Sequence, residues 1–288
     1  MGDELLAFSH HEPDFAKTPT AEENAGLFHA VLKSLKEFND IEIKNVIEGL
    51  INPTDRENCF LACYTRAIAN VNTLLEMTHV RNVQAIAMLA RTMIEIAADI
   101  RLIDVIPNSV PKILIHTQIE KLKTAQRVTS YASNHTLDTP VHIGPYQEFI
   151  AKKQAWIESE AAKLWPGTAL KDIHHWSRLD MAARVRLLKQ PLEEQYELFY
   201  RMLSWQVHSG STGVMGLSKE TFVHLCTLGF RIAAVTFEEV LKAVALEFKL
   251  SAAIDAIDKK MEFAKYLPLT KGEDEEELQR QIKRELGL

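Results

Sequence analysis

The run from Val83 to Ile103 constrains this chain more than any other stretch. It is long and greasy, yet Arg91, Glu95, Asp99 and Arg101 interrupt it. A membrane span of that length carries few charges or none, so the run predicts a buried helix of a helical bundle. Between Asn82 and Ile100 the only charged residues are Arg91, Glu95 and Asp99, four apart. On a helix all three fall on one stripe. Ionised groups on an otherwise apolar helix are costly unless paired and hydrogen-bonded. The three are therefore either a structural ion-pair ladder or the floor of a polar site.

The rest of the chain follows the same helical pattern. With 11 Gly and 10 Pro in 288 residues, the many turns of an all-β sandwich are missing. Phe28, Val31, Leu32, Leu35 and Phe38 recur at helical spacing, and a short amphipathic piece follows from Ile41 to Leu50. Thr54 or Asp55 can cap a helix running through Leu75. Further helices are expected from about Asn82 to Val105 and, opened by Ser109 with Pro111, to about Tyr131. Later ones span Tyr146 to Leu164, Ala182 to Leu188, Leu192 to His208 and Ser218 to about Phe248. Two more, near Ser251–Tyr266 and Asp274–Leu286, finish the chain. The fold class is all-α, a multi-helix bundle of about ten helices with no sheet. Residues 1–20 read as an irregular arm, 21–266 as one helical domain with a hinge loop at 133–144, and 267–288 as an acidic C-terminal helix.

Charge and cysteine usage exclude other classes. The net charge of −6 argues against a molecule that is cationic as a whole, although residues 111–190 hold 12 basic and 7 acidic side chains, a net +5. That middle segment is either a solvated helix face or a local surface for anions. Cys59, Cys63 and Cys226 are an odd number in a long chain, which points to a reducing compartment, the cytoplasm. Met1 is followed by Gly2, Asp3 and Glu4, with neither a basic nor an apolar leader segment, so no secretory signal is expected. A membrane is not among the expected partners.

A second constellation lies in the helix ending at His208. Tyr196, Tyr200, Ser204 and His208 recur every four residues, placing phenols, a hydroxyl and an imidazole on one face. Ser209, Gly210, Ser211, Thr212 and Gly213 follow, either as an anion-binding nest of backbone N–H groups or as a plain helix stop. The candidate polar cluster is thus Arg91, Glu95, Asp99, Tyr200, Ser204 and His208. Metal sites find little support. Glu76 and His79 have di-iron spacing without the second such motif a bundle needs, and His116 with Glu120, or His174 beside His175, lacks further ligands. No glycine-rich nucleotide loop and no Gly-x-Ser-x-Gly elbow is present, so no cofactor is called for.

The phrase Leu89-Ala-Arg91-Thr-Met-Ile-Glu95, then His175-Trp176-Ser177, Tyr200-Arg-Met-Leu-Ser204 and Val207-His208-Ser-Gly, resembles a large bacterial all-helical family known only as a numbered domain of unknown function. The similarity covers roughly residues 60–245. It implies that Arg91, Glu95, Ser204 and His208 approach one another, and it supplies no activity. The company of that family suggests bacterial stress or phage defence. A second resemblance is to the HEPN helical ribonucleases, whose mark is an Arg followed after four to six residues by a His, here Arg201 and His208. That likeness implies metal-independent RNA cleavage by Arg201 and His208 across a homodimer. Met202 departs from the polar residue that usually follows the Arg. The sequence therefore favours a binding, scaffold or regulatory module, with the HEPN-like ribonuclease as the alternative.

Overall fold

The computed structural model describes residues 21–135, 142–207 and 219–265; among them every regular element is helical and there is no strand. The fold is all-α. The chain divides into two compact units, one built from Met1–Arg101 with Arg184–Leu288 and the other from Leu102–Ala183. The second is inserted in the sequence of the first. The 133–144 stretch read as a hinge falls within the inserted unit, and its residues 136–141 lie outside the described residues. So do the 1–20 arm and the acidic 267–288 segment.

In the discontinuous unit, α1 (Ala21–Phe38) packs chiefly on α10 (Lys219–Glu247), which also carries α3 (Asp55–Glu76) and α11 (Ser251–Lys265). The reason lies in α10 itself. Phe230, Phe237 and Leu241 share one face and Ile232 points to the opposite one, yet all four are fully buried, and a helix buried on all sides belongs at a centre. α4 (Val83–Val105) comes very close to it: a Cβ on Gly229 would lie 2.5 Å from Ile86 Cγ2, so only glycine fits where the two helices meet. α3 starts with a capping box. Thr54 N donates to Glu57 Oε2 at 2.6 Å and Glu57 N to Thr54 Oγ1 at 3.2 Å. The hydrogen bond from the Thr54 backbone holds the Glu57 carboxyl below its ordinary range.

Long-range ion pairs brace this unit. Arg56 Nε reaches both oxygens of Glu247 at 3.0 Å, Arg101 pairs with Glu239, and Lys242 bridges Glu238 and Asp258. Glu238 and Glu239 are buried on α10, and burial pushes the Glu239 carboxyl upward against the pull of Arg101. Two described stretches of this unit are π-helical: Asn39–Ile43, which leads into the short α2 (Lys44–Glu48), and Tyr196–Tyr200. Each involves a tyrosine hydroxyl. At the first, Tyr64 OH donates to the buried Asn39 Oδ1 at 2.8 Å.

The inserted unit is organised by α5 (Ser109–Asn134) and α6 (Gly144–Leu164), which pack on each other. Ile119, Leu122 and Ile157 form their core, and Trp165 and Ile173 from the segment after α6 close it. Ser109 Oγ donates to Ile103 O at 2.6 Å as α5 begins, and a 3₁₀ turn at Leu170–Asp172 precedes Ile173. α7 (Met181–Leu188) begins in this unit and ends in the first, followed by α8 (Leu192–Gln195), the second π turn and α9 (Arg201–Val207). No described helix is long and apolar enough to cross a membrane.

Candidate functional site

α4 presents Arg91, Glu95 and Asp99 at successive turns, and the segment from α7 to α9 supplies their partners. Tyr200 OH donates to Glu95 Oε1 at 2.6 Å, and Arg91 Nε donates to the same oxygen at 3.3 Å. The Arg91 guanidinium carbon lies 4.8 Å from the Tyr200 ring centroid. One carboxylate oxygen thus gathers a phenol and a guanidinium, and the guanidinium covers the phenol's own ring. The Tyr196 ring lies beside that of Tyr200, tilted by 33° with centroids 4.8 Å apart.

This junction is half-buried rather than enclosed. Arg91 and Glu95 side chains keep 25% and 35% of their exposure. Burial raises the Tyr200 phenol and the Glu95 carboxylate raises it further, to about 12, with Arg91 opposing. For Arg91, burial works to discharge the guanidinium, but Tyr200 and Glu95 prevail and hold its pKa above the ordinary value. The result is a neutral phenol fixed between a firm cation and an anion. Such a phenol donates a hydrogen bond; it supplies neither a base nor a nucleophile at neutral pH.

Asp99 takes a different partner. Its Oδ1 accepts from Arg184 Nη1 at 2.9 Å, with side chains 20% and 13% exposed. Little in the sequence marks Arg184 for this role. Its one available signal is that it sits in a short amphipathic helix, which marks many arginines. The Asp99 charge also reaches Cys63, whose thiol burial pushes up first and Asp99 further, to about 12.

The remaining candidates separate. Ser204 Oγ donates to the Tyr200 carbonyl at 2.7 Å, so its proton is engaged with the backbone of its own helix. Arg201 is exposed at the start of α9. His208, with the 209–213 stretch, lies outside the described residues. The regular four-residue stripe from Tyr196 onward is altered by the π turn, which widens the helix between Tyr196 and Tyr200 before α geometry resumes. Among the described residues no group of three or more His, Cys, Asp or Glu side chains is placed to hold a metal ion.

A family model described as a family of unknown function, DUF5677, matches residues 57–221, more than half of the chain. The chain belongs to the DUF5677 family. The DUF5677 segment contains Arg91, Glu95, Asp99, Arg184 and Tyr200 together with the whole inserted unit. It omits α1 and nearly all of α10, so the central helix is largely supplied from beyond the DUF5677 match. Comparison with curated proteins and with solved structures gives no match.

Proposed function

We propose that this DUF5677 protein is a binding, scaffold or regulatory module whose polar junction is structural. The observation that supports this reading is the pairwise closure of the charges: Glu95 is taken by Tyr200 and Arg91, and Asp99 by Arg184. Groups that satisfy one another hold helices in register, the best-attested use of partly buried ion pairs. A catalytic centre instead keeps a base or nucleophile poised near neutrality. The Tyr200 phenol and the Cys63 thiol are displaced away from neutrality, both to about 12. Three free cysteines suit a reducing cytoplasm, and bacterial stress or phage defence is the setting suggested by the sequence resemblance.

The second reading is a metal-independent HEPN-like ribonuclease using Arg201 and His208 in a homodimer. The exposure of Arg201 favours it, because an arginine that must reach a phosphodiester cannot be buried. Labelled RNA incubated in EDTA with wild-type protein and with His208→Ala separates the two. Intact RNA in both is the result expected of a module. Cleavage by wild type that His208→Ala abolishes would overturn the module and establish the nuclease.

A further inference from the structure

The inserted unit carries a polar cleft of about 380 Å³ lined by Glu120, Lys123, Gln126, Arg127, Lys171 and His174. Its long wall comes from α5, where Glu120, Lys123 and Arg127 are spaced by three and four residues, the period of one helix face. The opposite wall is the turn after α6, fixed to α5 by Lys123. Lys123 Nζ donates to Ile173 O at 2.7 Å and to Glu120 Oε1 at 2.9 Å. Lys123 thereby positions the turn and neutralises the one carboxylate in the cleft.

Two cations remain without a counter-charge. Among the described residues neither Arg127 nor Lys171 enters an ion pair, and the imidazole of His174 is exposed beside them. Elsewhere in the unit Lys152 pairs with Glu148 and Lys163 with Glu160, each at 2.5 Å. Residues 102–183 hold 9 basic and 8 acidic side chains, so the unit has no broad cationic surface. Among the described residues Lys112, Lys121, Lys153 and Arg178 also enter no ion pair, but none of them lines the cleft, where Arg127 and Lys171 face one cavity together.

We infer that this cleft binds a small phosphate monoester bearing hydroxyl groups, such as a sugar phosphate. The planar fork of Arg127 and the point charge of Lys171 suit a phosphate dianion, while Glu120 and Gln126 offer acceptors and donors to neighbouring hydroxyls. The volume suits such a ligand. A nucleic-acid strand would need cations repeated along a path, which the near-neutral unit does not supply. The inference goes beyond the module reading and does not rest on it, since all its residues belong to the inserted unit.

The test is titration of the full-length protein with inorganic phosphate and with ribose 5-phosphate at low salt, followed by calorimetry. Saturable binding is expected, tighter for the ester, and weakened about tenfold or more in Arg127→Gln/Lys171→Gln. Arg178→Gln, whose guanidinium bonds Thr168 Oγ1 at 2.7 Å away from the cleft lining, leaves it unchanged. All three substituted side chains are exposed, so the fold is retained and circular dichroism checks it. Absence of saturable binding, or equal affinity in the double variant, overturns the inference. A labelled single-stranded RNA that binds through Arg127 and Lys171 more tightly than the ester also overturns it, in favour of a phosphodiester backbone.

Discussion

Tyr200 and Glu95 stand 105 residues apart in the sequence and meet through a 2.6 Å hydrogen bond donated by the phenol. Removing that hydroxyl leaves the Glu95 carboxylate with Arg91 and with water, since it keeps about a third of its exposure. Tyr200→Phe should therefore lower unfolding free energy by about 1–2 kcal/mol, at the lower end for a hydrogen bond to a charged group. Urea denaturation measures it. In a double-mutant cycle with Glu95→Gln the coupling should be about 1 kcal/mol; a coupling of zero would mean that the pair contributes nothing.

The alkaline titration of the tyrosines gives an independent reading of the same contact. Burial comes first in raising both Tyr64 and Tyr200 to about 12. A folded-state value above the unfolded one means that stability is fully present below pH 10 and is lost as pH rises through about 12. Absorbance at the phenolate band should show late-ionising amplitude in wild type, reduced by one residue in Tyr200→Phe. Equal late amplitude in the two proteins would contradict the environment described.

The capping box at the start of α3 predicts a pH signature of opposite sign. Thr54→Ala removes one half of it and should cost about 1 kcal/mol. Glu57 has its folded value lowered by the Thr54 backbone and side chain, so its contribution is present above the unfolded value and fades as pH falls through the folded one. Glu57→Gln should thus be less stable than wild type near neutrality, with the gap closing in acid. A gap that is constant across pH would rule the charged cap out.

Gly229 should not tolerate alanine. The new methyl would stand 2.5 Å from Ile86 Cγ2, and both residues are buried. An overpacking cost of about 1–3 kcal/mol is expected, although alanine is the better helix former. Ile86→Ala should be less damaging in the Gly229→Ala background than in wild type. Additive losses in the thermal melts would show that the helices do not meet there.

Much of this fold is legible because its signals are local. The helix expected from about Asn82 to Val105 runs Val83–Val105, and Thr54 caps α3. The stripe of Arg91, Glu95 and Asp99 is legible for the same reason, since four-residue spacing is a property of one helix. What escapes a sequence reading is non-local or irregular. Nothing in the spacing of Asp99 selects Arg184, 85 residues on, and no residue type marks Tyr196–Tyr200 for π geometry. The insertion of residues 102–183 is invisible for a related reason: it depends on which helices α1 and α10 choose, not on any break in composition. Glu238 and Glu239 do carry a local signal, since two adjacent acids in an apolar helix call for buried partners as clearly as Arg91 does.

The pairing of α1 with α10 has a consequence for biosynthesis. Between Phe38 and Lys219 lie 180 residues, including the entire inserted unit. At ribosomal speeds of about 5–20 residues per second, the greasy side of the first helix waits roughly 10–40 s for its main partner to emerge. During that interval the inserted unit, whose contacts are all nearer in sequence, can complete itself first. A nascent chain stalled before Lys219 therefore offers chaperones an uncovered helix at one end and a finished unit behind it.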